Sequence, residues 1–109
     1  MHSQKKDVDK FLRDVRIAIS KKNITPTNRR KNLDTLAELG IKWSDAIDVI
    51  SGLTFNDYIK GPEEDRDYPS SDMFWMFKKK AFGEVIYIKI KIKYLDDNGL
   101  AIVSFHIDE

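Results

Sequence analysis

The chain has 109 residues, 41% hydrophobic and 34% charged, and its 19 Lys and Arg against 18 Asp and Glu leave a formal net charge of +1. That length suits one domain, residues 1–109, with a single modest core. The absence of cysteine excludes disulfides and thiolate metal sites, two histidines (His2 and His106) are too few for a conventional zinc site, and no cofactor motif is present.

No apolar run is long enough to span a bilayer and the N-terminus holds no signal-peptide core, so the cytoplasm is the expected compartment. Charge is segregated along the chain. Lys5, Lys6, Lys10, Arg13, Arg16, Lys21, Lys22, Arg29, Arg30 and Lys31 crowd the first third. Asp57, Glu63, Glu64, Asp65, Asp67 and Asp72 occupy the middle, and Lys78, Lys79, Lys80, Lys89, Lys91 and Lys93 the last third. Such clustering can produce a local positive field despite a near-neutral total. The N-terminal cluster equally suits an ordinary solvated helix face.

Residues Asp7 to Lys22 read as an amphipathic helix, because Val8, Phe11, Leu12, Val15, Ala18 and Ile19 recur at helical spacing. Asn23 suits its left-handed end. Thr25-Pro26 reads as a cap with proline at the first helical position, Thr27 being the alternative cap. The second helix then turns Leu33, Leu36 and Ala37 inward and stops at Gly40. Ser44 caps a third, short helix with Ala46, Ile47 and Ile50 on its buried face and Gly52 at its close. Thr54 with Asp57 makes a capping-box pattern for one more turn, to about Lys60, which Gly61-Pro62 breaks. The acidic stretch Gly61 to Asp72, with two prolines and a serine pair, reads as a long loop.

From Met73 the period changes. Phe74, Trp75, Met76 and Phe77 favour a strand, and Lys78 to Phe82 leads into a turn at Gly83. Over Val85 to Tyr94, Ile86, Ile88, Ile90 and Ile92 alternate with Tyr87, Lys89, Lys91 and Lys93, a period of two. Asp96-Asp97-Asn98-Gly99 is turn chemistry, and Leu100 to Ile107 makes the last strand. Helices first and strands last predict an α+β fold, with N-terminal helices packed on one side of a C-terminal antiparallel β-sheet.

A loop of two or four residues across Asp96 to Gly99 puts Tyr87, Lys89, Lys91 and Lys93 on one face with Ile102, Ser104 and His106. The four isoleucines then share the other face with Ala101, Val103, Phe105 and Ile107. A loop of three or five residues would place His106 among the isoleucines, at a desolvation cost. The first arrangement gathers a phenol, several ammonium groups, a hydroxyl and an imidazole on one face. RNA cleavage without metal needs such parts: a base for the 2′-hydroxyl, cations for the charge on the phosphorane, and an acid for the leaving 5′-oxygen. His106 fits either proton role. Lys78, Lys80, Lys91 and Ser104 are candidate substrate contacts, and Trp75, Phe74 or Phe77 a platform for a splayed base. Each feature also has an ordinary counterpart: strand lysines that discourage edge pairing, and a tryptophan that belongs to the core.

The ordered series Leu39-Gly40-Ile41, Asp48-Val49-Ile50-Ser51-Gly52-Leu53, Asp57-Tyr58-Ile59-Lys60-Gly61-Pro62, Gly83-Glu84-Val85, Tyr87-Ile88-Lys89-Ile90 and Ile102-Val103-Ser104-Phe105-His106 resembles the MqsR toxin family over roughly Leu33 to His106. The resemblance implies a fold similar to the RelE-type ribonucleases. It also implies a metal-free, ribosome-independent messenger-RNA endonuclease, an mRNA interferase, neutralised by a cognate antitoxin that also binds DNA. By position, Lys60 matches the family's lysine after the third helix and Tyr87 its strand tyrosine. His106 stands where the type member has its final lysine. No glutamine occurs between Met73 and Phe82, so the family's strand glutamine is missing or moved. The expected catalytic set is Lys60, Tyr87, Lys89 and His106, acting on RNA, with no metal, no cofactor and no membrane partner. Two alternatives are a catalytically inert module of the same fold that binds nucleic acid or protein, and an interaction protein whose loop from Glu63 to Asp72 docks a basic partner.

Overall fold

Val8, Phe11, Leu12, Val15 and Ala18 lie along one stripe of the first helix, and all five are buried. The surface they cover sets the architecture. The structure, a computed structural model, describes residues 4–69 and 71–109, so His2 and Ser70 lie outside the described residues. Three helices come first: α1 (Lys5–Ser20), α2 (Arg30–Leu39) and α3 (Trp43–Ser51). A short strand, β1 (Ile24–Pro26), separates the first two. After a 3₁₀ turn (Phe55–Asp57) come β2 (Tyr58–Glu63), β3 (Phe74–Ala81), β4 (Glu84–Lys93) and β5 (Gly99–Ile107). The sheet order is β1-β5-β4-β3-β2. β2 to β5 pair antiparallel as expected, but β1 adds a parallel edge, so the α+β fold has a mixed sheet. Among the described residues no helix is long and apolar enough to cross a membrane.

The core lies between the helices and one face of the sheet. Ile86, Ile88, Ile90 and Ile92 of β4 are at most 1% exposed, and Phe77, Leu100, Ile102 and Phe105 lie beside them. Burial of each such side chain stabilises by about 1.5–3 kcal/mol. Phe11 connects helix to sheet, its ring stacked on Trp75 at 4.7 Å and on Phe77 at 6.3 Å.

Several local expectations are corrected. The left-handed residue after α1 is Lys22 (φ 58°), not Asn23. Asn23 is not left-handed, and its carbonyl accepts from Leu100 N as β1 begins. Thr25-Pro26 does not start a helix, since Ile24 to Pro26 pair with Leu100 to Ile102. Proline is tolerated there because β1 is an edge. α2 buries Asn32, Thr35 and Leu36, while Leu33 and Ala37 are exposed. α3 starts two residues early, at Trp43, with Asp45 accepting from Lys42 N at 2.9 Å in place of a Ser44 cap. Thr54 N donates to Asp57 Oδ2 as the capping box predicts, but the turn ends at Asp57. Lys60, Gly61 and Pro62 belong to β2, and the acidic loop begins after Glu63. Gly61 is required where the edge strand β2 approaches β3: at φ +124°, an added Cβ would lie 2.8 Å from the Phe74 carbonyl oxygen.

The β4–β5 connection is residues 94–98, a five-residue turn, not two or four. Near it the pairs are Ile92↔Leu100, Lys91↔Ala101 and Ile90↔Ile102. One residue later the register shifts, giving Lys89↔Ser104, Ile88↔Phe105 and Tyr87↔His106. Val103 is the extra residue of a β-bulge. Ile102 therefore faces the core, contrary to expectation, and Ala101 lies on the lysine face with Lys91. Ser104 and His106 keep company with Lys89 and Tyr87, and Phe105 with the isoleucines, as expected.

Beyond Ile102, β5 has no strand on its outer edge among the described residues, the last rung to that side being Thr27 N to Ile102 O. The polar face of α2 serves instead. Asn32 Nδ2 donates to the Val103 and Thr27 carbonyls, Phe105 N donates to Asn32 Oδ1, and Ile107 N donates to Thr35 Oγ1 at 3.1 Å. This explains why α2 turns an asparagine and a threonine inward.

Phe11→Ala should lower unfolding free energy by about 3–5 kcal/mol, read as an earlier urea midpoint. A loss under 1 kcal/mol would show that α1 is not the core's lid.

Candidate active site

The sheet face turned away from the helices is assembled in rows. One row runs Ser104–Lys89–Met76–Lys60 across β5, β4, β3 and β2, and the next runs His106–Tyr87–Lys78. All four expected catalytic side chains thus share one face. The Tyr87 and His106 rings lie 5.3 Å apart, centroid to centroid, tilted by 34°. His106 Nδ1 is 3.1 Å from the Ile107 carbonyl oxygen. A carbonyl only accepts, so this bond puts a proton on Nδ1 and leaves Nε2 as the available lone pair of the neutral ring.

Burial pushes the Tyr87 phenol above its ordinary value of 10; the Lys60 and Lys78 cations favour ionisation, while Glu63 and Asp108 oppose it. The phenol therefore remains a proton-bearing donor at neutral pH. Of the cations, Lys60 pairs with Glu63 at 3.4 Å and Lys78 with Asp108 at 2.9 Å, both pairs partly exposed. Such pairs contribute about 0–1 kcal/mol, so a phosphate can displace them. Lys89 forms no ion pair among the described residues and rests over the Phe74 ring, 4.5 Å from its centroid.

The expected substrate contacts fare unevenly. Lys80 is exposed on this face but pairs with Val85 beside the β3–β4 turn, two residues beyond Lys78. Ser104 is on the face yet only 3% exposed, and accepts from Arg29 Nη1 at 3.3 Å. Lys91 is not presented to solvent. Its ammonium pairs with Asp65 at 3.4 Å, with side chains 15% and 11% exposed. Burial opposes the Asp65 charge, but the Asp67 and Tyr68 amides and Lys91 together hold its carboxyl below the ordinary range. The acidic loop is thereby fastened over the Lys91 row, where it helps to enclose a groove of about 630 Å³ with Arg29, Phe74 and Lys89.

Trp75 corrects the base-platform expectation: it pairs with Ile90 on the helix side and stacks on Phe11. Phe77 is fully buried there, and Phe74 lies under the lysines. Where a glutamine was sought on β3, the register puts Met76, 1% exposed, between Lys60 and Lys89. Arg29, Asp65 and Asp108 were not singled out by sequence; Arg29 and Asp65 were hidden in like-charged runs and Asp108 among the C-terminal residues. Among the described residues no three imidazoles or carboxylates gather about one point as metal ligands would.

Residues 9–107 match the model of a protein family described as "Motility quorum-sensing regulator, toxin of MqsA". No curated protein matches the chain.

The raised Tyr87 pKa has a defined sign. The folded state favours the neutral phenol, so this contribution to stability is complete below pH 10 and is lost as pH rises through the folded value. A tyrosinate absorbance titration of wild type minus Tyr87→Phe should show ionisation only above pH 10. A midpoint below 10 would contradict the burial of this phenol.

Proposed function

The chain belongs to the MqsR toxin family, and from that premise we propose that it is a metal-independent, ribosome-independent endoribonuclease of a toxin–antitoxin pair, cutting messenger RNA at the Tyr87–His106 face. The observation that carries the reading is the pairing of those two rings beside Lys60 and Lys89, the latter without an ion pair among the described residues. The membership supports the toxin role, and a cognate antitoxin as partner.

In this reading His106 Nε2 takes the proton from the ribose 2′-hydroxyl. The 2′-oxygen attacks phosphorus, the P–O5′ bond breaks, and a 2′,3′-cyclic phosphate forms. Tyr87 protonates the departing 5′-oxygen, because even a phenol hard to ionise is a far stronger acid than an alcohol. The imidazolium then returns a proton to the phenolate across the ring contact. Lys60 and Lys89 stabilise the charge that builds on the phosphorane. Met76 offers no hydrogen bond where glutamine would, so phosphate binding falls to the cations and Tyr87. A histidine in place of the type member's lysine supplies a ring nitrogen that can accept a proton.

Purified protein incubated with mixed RNA in EDTA should cleave it, and His106→Ala should lower the rate at least about a hundredfold. Lys60→Ala should lose roughly ten- to a hundredfold by the same assay. Equal cleavage by wild type and His106→Ala would remove His106 from the chemistry. Salt-dependent RNA binding with no cleavage, in folded protein free of antitoxin, would replace the nuclease reading with an inert binding module.

A further inference from the structure

His106 stands near the end of β5, three residues beyond the Val103 bulge and one before the strand ends. Strand ends fray unless tied down. On one side β4 holds this segment; on the other, among the described residues, there is no strand, because β1 reaches only to Ile102. What holds the outer edge is α2. Asn32 is fully buried and uses both ends of its amide: Nδ2 on the Val103 carbonyl at 3.0 Å, Oδ1 on Phe105 N at 3.0 Å. Thr35, 5% exposed, takes Ile107 N at 3.1 Å. The two amides so held, Phe105 N and Ile107 N, bracket His106.

The apolar core alone does not choose this arrangement. A bulge at Val103 and a bulge at Ser104 both bury Phe105 opposite Ile88, so they are nearly equivalent to the core. They differ at the site, since a bulge at Ser104 would put Val103 opposite Lys89. The Asn32 bonds to Val103 and Phe105 span Ser104 and match the first arrangement. The Thr35 bond then fixes the N–H of Ile107, the residue whose carbonyl accepts from His106 Nδ1. A displacement of about 1 Å at such a group can cost about a hundredfold in rate.

We propose that Asn32 and Thr35 are positioning residues for His106, setting its imidazole against Tyr87 through the backbone edge of β5. The proposal rests on the nuclease reading for its consequence in rate, and on geometry alone for its consequence in structure.

Thr35→Val keeps the shape of the side chain and removes the acceptor; Thr35→Ser restores it. In EDTA, kcat should fall at least about tenfold in Thr35→Val with KM changed less than about twofold, and Thr35→Ser should recover most of it. In a His106→Ala background Thr35→Val should cost nothing further, because the group it positions is gone. Asn32→Ala should behave likewise, and Thr35→Val carries the test if Asn32→Ala does not fold. A readout independent of activity is the through-space NMR contact between the Tyr87 and His106 rings. It should be present in wild type and weakened in Thr35→Val, with faster hydrogen exchange at Ile107 N. Equal fractional losses with and without His106 would overturn the proposal, as would an unchanged ring contact in both variants. If wild type cleaves no RNA, the nuclease reading fails, and the ring contact still decides whether Asn32 and Thr35 position His106.

Discussion

One extra residue in β5 makes the site possible. Side chains alternate along a strand, so a shift of one residue exchanges the two faces. The five-residue turn at 94–98 sets a register in which Leu100 and Ile102 oppose Ile92 and Ile90 and fill the core. Continued without a bulge, that register would place His106 opposite Ile86 among the isoleucines and turn Phe105 outward. Burial of Phe105 is worth about 1.5–3 kcal/mol, and an unsatisfied imidazole among isoleucines would cost a comparable amount. Both effects favour a register change between Ile102 and Phe105. The core therefore demands a bulge, and α2 fixes where it falls.

The other constraint is charge. The ammonium groups gathered on one sheet face repel one another, and three of them have a carboxylate neighbour: Lys60 with Glu63, Lys78 with Asp108, Lys91 with Asp65. These pairs are not equivalent. The two around Tyr87 are half open to water, weak and exchangeable. The Lys91 pair is enclosed, and removal of one partner would leave a buried charge, so it behaves as a fastening for the loop. A net charge of +1 thus hides a face that gathers Lys60, Lys78 and Lys89.

Much of this was legible in the sequence because the signals were local and periodic. The isoleucine alternation located β4 and its core face, and the apolar stripe of α1 located the helix that covers it. Gly40 and the Thr54–Asp57 box marked helix ends through short-range chemistry. The failures are non-local. Thr25-Pro26 has the local pattern of a helix start, yet β5 recruits it as a strand. Leu33 and Ala37 suit an inward face, but the edge of β5 needs hydrogen bonds and selects Asn32 and Thr35. Trp75 differs from a base platform only by strand parity, which Phe11 and Ile90 decide. The placement of Ser104 and His106 was reached by the wrong route: the turn is odd, and the bulge restores the parity that an even turn would have set.

The short β1 completes the argument. Were it to continue beside β5, its alternate side chains would stand next to Ser104 and His106 and crowd the site. Pro26 lacks an N–H to extend the ladder, and after the Thr27 rung the chain leaves for α2. The helix packs toward the core side and satisfies the β5 edge through Asn32 and Thr35. The edge is satisfied, the bulge is held, and the face that carries Tyr87 and His106 remains open on that flank. Three requirements that compete in a sheet, paired backbone, a dry core and an accessible polar face, are met by replacing a strand with a helix at the rungs that flank the imidazole.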